Sequence, residues 1–121
     1  MKKINFRIQR NNNLNDIYVE DIAGPGNGRH KYSISTVKEP STILLHLQYQ
    51  EGPRNEEGSI CGILDQDLLE IVRHRLQCFQ AGPYATRENA LALTHIEEAL
   101  GWMNKRTEDR AERGVLGTME K

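Results

Sequence analysis

Phe79-Gln80-Ala81-Gly82-Pro83-Tyr84-Ala85-Thr86-Arg87-Glu88-Asn89-Ala90 divides the chain and decides its fold. Gly82-Pro83 is a break followed by a helix start. A proline at the first helical position loses nothing by lacking an N–H, because that donor has no partner there. From Pro83 to about Arg113 there is no further proline, and the only glycine is Gly101. The stretch predicts a helix of roughly 30 residues, on the order of 45 Å long. It ends at Gly114, a natural left-handed cap. In a chain of 121 residues such a helix is the spine.

Upstream of the break, Leu68, Leu69, Val72, Leu76 and Phe79 form an apolar stripe at helical spacing. A first helix is predicted from Asp65 or Gln66 to Gln80. Asp65 suits its N-cap, and Leu64 and Leu69 sit where a hydrophobic staple would pack. In the second helix Asn89, Leu93, Ile96, Leu100 and Met103 share one face. Leu91, His95, Glu98 and Trp102 share another. Apolar residues on two faces imply two covering surfaces.

The first half has a different period. Lys2 to Ile8 places Ile4, Phe6 and Ile8 on one face of a half-buried strand, and Asn11-Asn12-Asn13 makes a turn. Asp16 to Ile22 pairs back as a second strand. Ala23 to Arg29 is a glycine-rich loop, either a plain connection or a close approach of bare backbone to a ligand. It lacks the strand–GxxxxGK[ST]–helix context of a phosphate loop. His30 to Val37 and Thr42 to Gln50 alternate and read as antiparallel neighbours joined by a Pro40-containing turn. Ser59 to Leu64 adds a short segment. The expected fold is α+β in a single domain, residues 1–121. A small antiparallel sheet (1–64) precedes a helical hairpin and C-terminal tail (65–121).

Net charge is −1, with charged residues balanced in sign, so no global attraction to DNA, RNA or membrane is expected. The basic start is not followed by an apolar run, so no signal peptide is expected. Cys61 and Cys78 read as free, partly buried thiols. A hydrophobic fraction of 37% is thin for a self-sufficient core and favours oligomerisation.

Arg106, Arg110 and Arg113 follow i, i+4, i+7 spacing, which puts three guanidinium groups on one stripe. Arginine forks suit phosphate oxygens. The bland alternative is a solvated helix end, with Asp109 pairing to Arg113 and Glu108 and Glu112 diluting the field. Phe79 and Tyr84 flank the corner as core residues or as a stacking platform. Asn89 is either a satisfied amide or a reader of an adenine edge. Arg87 and Glu88 in the first turn either pair with neighbours or serve the corner. Asn89 and Arg106 lie 17 residues apart on one helix, about 25 Å. One small ligand can touch both only if two chains lie antiparallel, giving two equivalent pockets per twofold dimer. His30, His46, His74 and His95 are scattered, and no pair has zinc-motif spacing, so no metal and no cofactor are expected.

The C-terminal half resembles the phage Thoeris anti-defence protein 1 family. The matching runs are Asp67 to Val72, Arg75 to Tyr84, Arg87 to Leu93, Glu97 to Trp102, Lys105 to Thr107 and Arg113 to Thr118. The sheet region matches loosely, mainly before His30-Lys31-Tyr32. Departures are Tyr84 and Thr86, where the family often has Phe and Cys, and Gly101 in mid-helix. The resemblance implies a sponge that sequesters a cyclic ADP-ribose isomer made by a bacterial TIR-domain enzyme, without degrading it. It implies action in the host bacterial cytoplasm. It also implies homodimers, or hexamers built from dimers, with ligand at the dimer interface. Some hexameric members bind cyclic oligonucleotides at separate sites. Carried onto this chain, the ligand residues are Phe79 for stacking, Asn89 for polar recognition, and Arg106 and Arg110 for phosphates. Arg113, Arg87 and Thr118 lie within the same matched runs. Two rivals stand beside this reading: a cyclic-nucleotide-cleaving enzyme using His30 or His95, and a structural oligomer with no small ligand.

Overall fold

The computed structural model describes residues 1–114. The chain separates into two compact units, Met1–Gly62 and a second beginning at Ile63.

The first unit is a four-stranded antiparallel sheet in sequential order. Its strands are β1 (Lys2–Lys3), β2 (Asn15–Val19), β3 (Lys31–Thr36) and β4 (Ile43–Gln48). Ile17, Ile34 and Leu45 are cross-strand partners, as are Val19, Tyr32 and Leu47. Such β-branched, aromatic and leucine pairs are the unit of sheet stabilisation. Tyr32 also meets Tyr49 edge-on, with ring centroids 5.9 Å apart. A register shift at Ile34/Ser35 places an extra residue, Leu44, in β4. The predicted β3–β4 hairpin is present, and its turn carries a cis Glu39-Pro40 bond. The Ser59-to-Leu64 segment reduces to one bridge, Glu51 to Ile60. Gly62 follows it because a Cβ there would collide with the Gln48–Tyr49 backbone.

The predicted N-terminal strand is much shorter than its alternation suggests. Ile4 N donates to Ile17 O at 2.9 Å, and pairing then stops. In this register the next acceptor is Asn15 O, which Phe6 N would use. The Arg7 guanidinium takes it instead, at 2.8 Å. Phe6 and Ile8 are consequently 96% and 103% exposed rather than half-buried.

The second unit is a helical hairpin of α1 (Asp65–Gln80) and α2 (Arg87–Glu112). Arg73 ties α1 to α2 through Glu97 at 2.9 Å. The start of α1 agrees with the sequence, but its cap differs. Leu64 is the N-cap residue, and the Asp67 carboxylate accepts from Leu64 N at 2.9 Å. The anticipated start of α2 at Pro83 is wrong by four residues. The Gln80 side-chain amide grips Thr86 from both sides, accepting from its N at 3.0 Å and donating to its O at 3.1 Å. This holds Thr86 extended (φ −135°, ψ 160°), and its hydroxyl accepts from Asn89 N at 3.0 Å. A threonine N-cap therefore outcompetes the proline start. The 26-residue helix is about 39 Å long. It runs unbroken through Gly101 and stops at Gly114, whose φ is +72°.

Thr86→Ala removes this cap. We expect a loss of about 1 kcal/mol, and Thr86→Ser retains most of it; thermal unfolding of the two variants followed by circular dichroism is the check.

Among the described residues no apolar side chain is buried, and the buried residues are Ser33, Ser35 and Arg110. The face Asn89-Leu93-Ile96-Leu100-Met103 is half-buried throughout, while Leu91 and Trp102 on the second face are exposed. Cys61 and Cys78 are both exposed, not partly buried. Cys78 sits one turn after His74, with its sulfur 3.8 Å from the ring Nε2. No helix among the described residues is long and apolar enough to cross a membrane.

Candidate ligand-binding site

The predicted site residues fall into two groups on the helical unit. The first is the corner between α1 and α2. Phe79, near the end of α1, is 39% exposed. The Arg75 guanidinium lies over its ring, 5.6 Å from the centroid. That pair spans one helical turn, i to i+4, and adds a cation–π contact. Arg75 thus places a positive charge beside the candidate stacking face. Asn89 is half-buried in the first turn of α2, fixed through its backbone by the Thr86 cap. Arg87 is exposed at the first residue of that helix. Tyr84 stands out from the corner, largely exposed.

The second group lies at the far end of α2. Trp102, Lys105, Arg106, Asp109, Arg110 and Arg113 line one open cleft of about 420 Å³. Four of these side chains are cationic and one is anionic. The single carboxylate, Asp109, is taken by Lys105 at 2.8 Å rather than by Arg113. That bond, first, and the nearby charge raise the Lys105 ammonium above its ordinary value, so it stays charged. The arginines are not equivalent. Arg106 and Arg113 are exposed, whereas Arg110 is 8% exposed. The half-buried face of α2 continues from Met103 through Thr107 to Arg110, which accounts for its burial. Beside this cleft the indole of Trp102 is 69% exposed.

The corner and the cleft are not one site within a single chain. Asn89 and Arg106 are separated by about 25 Å of continuous helix. Each half holds part of what an anionic nucleotide needs: a stacking ring and an amide in one, guanidinium forks in the other. Thr118 lies outside the described residues.

Two contacts escaped the sequence reading. Arg75 reads from sequence as one of a basic cluster with Arg73 and His74 that faces solvent or an anion; its contact with Phe79 could have been found from the i, i+4 spacing. Gln80 could not, because its role depends on a turn whose shape it sets itself. The histidines named for the rival enzyme also separate. His95 is exposed, with Nδ1 3.7 Å from Glu98. His30 is half-buried, with Nδ1 3.8 Å from Asp21 and 3.9 Å from Glu51.

Residues 42–108 match the family described as "Acb2/Tad1, hairpin domain". The family match covers the corner and, in the cleft, reaches Trp102, Lys105 and Arg106 but not Asp109, Arg110 or Arg113. The chain is also similar to "Thoeris anti-defense 1" of Bacillus phage SBSphiJ7, 48% identical over 86 residues. That match takes in 71% of this chain and 60% of the relative, so it spans less than two thirds of the relative's length. With more than half its length matched, including α1, the Phe79 corner and most of α2, the chain belongs to the Acb2/Tad1 hairpin-domain family.

Proposed function

We propose that this protein is a phage anti-defence protein that binds a cyclic ADP-ribose isomer and withholds it, uncleaved, from a bacterial TIR-based immune effector. The ligand sits between two antiparallel copies of the chain in a homodimer, and each copy gives its Phe79 corner to the other's arginine cleft. Dimers are free to build hexamers. The protein works where the signal is made, in the cytoplasm of the infected cell.

The observation that carries this reading is the division of the site. A stacking ring and an amide lie at one end of α2, and the arginines of a cationic cleft line the other. No compact ligand spans about 25 Å, but a twofold axis across α2 superposes the two halves twice. The exposed Leu91 and Trp102 on the second face of α2 give a partner helix apolar surface to cover. Holding a pyrophosphate and a base needs guanidinium forks, a ring and exclusion of water. It needs no proton transfer, and the membership in the hairpin-domain family agrees with it.

Calorimetric titration of the purified protein with cyclic ADP-ribose isomers tests the reading. The expected result is one ligand per chain, two per dimer, for at least one isomer. Absence of binding to every isomer, with the protein folded, contradicts it.

A further inference from the structure

Three side chains that the nucleotide site does not use converge in the sheet unit. Asp21 follows β2, His30 precedes β3, and Glu51 follows β4. Backbone hydrogen bonds fix His30 (Tyr49 N to His30 O at 2.7 Å) and Glu51 (Glu51 N to Ile60 O at 3.0 Å), and Glu20 N to Lys31 O at 2.9 Å fixes the residue before Asp21. Asp21 is held further, since its Oδ2 accepts from His30 N at 2.8 Å. One donor atom from each of the three side chains lies within 4.8 Å of the others, and all three residues are half-buried.

The spacing has a chemical meaning. His30 Nδ1 is 3.8 Å from Asp21 Oδ2 and 3.9 Å from Glu51 Oε1. Both separations are too long for a direct hydrogen bond. They suit two atoms sharing one ion: ligands about 2.0–2.2 Å from a zinc ion stand roughly 3–4 Å apart. Asp21 Oδ1 is buried and accepts no hydrogen bond from any described residue. This is the oxygen beside Oδ2, which faces His30 Nδ1, so a carboxylate that grips the ion with both oxygens would satisfy it. The glycine-rich loop closes beside the imidazole, with Gly24 N donating to Gly28 O at 2.8 Å. A Cβ at Gly28 would come within 3.3 Å of His30 Cε1, so the loop leaves the ring little room to turn away.

We infer that Asp21, His30 and Glu51 form a site for a divalent transition-metal ion of the zinc class. One imidazole nitrogen and two carboxylate oxygens make a mixed donor set suited to such an ion, and three protein ligands leave a fourth position for water. The ion would tie together the segments after β2, before β3 and after β4. The inference is independent of nucleotide binding.

The test uses the full chain, stripped with chelator and titrated with Zn²⁺ alone, read by calorimetry and native mass spectrometry. The expected result is one ion per chain and a Zn²⁺-dependent rise in Tm. His30→Gln should weaken binding about 100-fold or more and Glu51→Gln about 10-fold or more, since losing a ligand costs at least what losing an outer-shell partner does. The His74→Ala/Cys78→Ala double variant should bind as the wild type does. If His30→Gln fails to fold, the partly exposed Glu51→Gln carries the test, with its fold checked by circular dichroism. No uptake by the wild type, uptake unchanged in the folded triad variants, or uptake lost in the His74/Cys78 variant overturns the inference. No nucleotide is present, so failure leaves the nucleotide site untouched.

Discussion

Phe79→Ala and Arg106→Ala are each expected to weaken retention of a cyclic ADP-ribose isomer by roughly 10- to 100-fold, with the protein still folded and the proposed dimer still assembled. Stacking of a base on an aromatic ring contributes about 1–3 kcal/mol. A hydrogen bond to a charged group contributes about 1.5–3 kcal/mol. About 1.4 kcal/mol is a factor of ten in affinity, so the stacking loss lies between roughly fivefold and 140-fold and the arginine loss between roughly 12-fold and 140-fold. Neither substitution should unfold the chain. Phe79 is partly exposed at the end of α1, and Arg106 is exposed on α2. Asn89→Ala is expected to fall in the same range, and its cap survives because the helix uses the Asn89 backbone N–H. Calorimetry, with light scattering to follow assembly, separates lost affinity from lost dimer. Unchanged affinity in all three variants would remove these residues from the site.

Mixing the two defective chains should restore binding. In a dimer of one Phe79→Ala chain and one Arg106→Ala chain, one pocket carries both defects. The other combines an intact corner with an intact cleft. Co-expression under two affinity tags and tandem purification isolates this heterodimer. One ligand per heterodimer at wild-type affinity is expected, against two in the wild type and almost none in either parent at the same ligand concentration. If each chain built its pocket from its own corner and its own cleft, no rescue would occur. The effect runs from near-zero occupancy to half, and it depends only on which chain supplies which residue.

The outline of the fold was legible because it rests on local pattern. Alternation marked the β3–β4 hairpin, and the apolar stripe marked α1 within a residue at each end. Gly114 marked the end of α2, where its positive φ suits glycine. The two errors in element length share one cause, which is a side chain bonding to backbone across a turn. Arg7 takes the acceptor that would have prolonged β1. Gln80 shapes the corner so that Thr86, not Pro83, opens α2. Neither bond has a periodic signature. Thr86 proves to be the cap of the long helix.

The candidate site was legible as residue types and as a distance along one helix. Arg106 and Arg113 stand exposed as the stripe suggested, but Arg110 continues the packed face and is buried. The Arg75–Phe79 contact also follows from helical spacing once it is sought. The Asp21–His30–Glu51 cluster was invisible because its members come from three segments joined only by sheet register. Partial burial pushes the Asp21 carboxyl up. The backbone amides of His30 and Lys31 and the His30 charge outweigh this, leaving it below its ordinary value.

The central claim is capture without cleavage. The direct measurement incubates the protein with nucleotide extract from cells with an activated TIR system, then separates protein from free nucleotide. The protein is denatured by heat or protease, and the released material is identified by chromatography. The account predicts an intact cyclic ADP-ribose isomer in the released fraction and its depletion from the free fraction. A linear or cleaved product would contradict it and point to an enzyme, with His30 between its two carboxylates the first residue to replace.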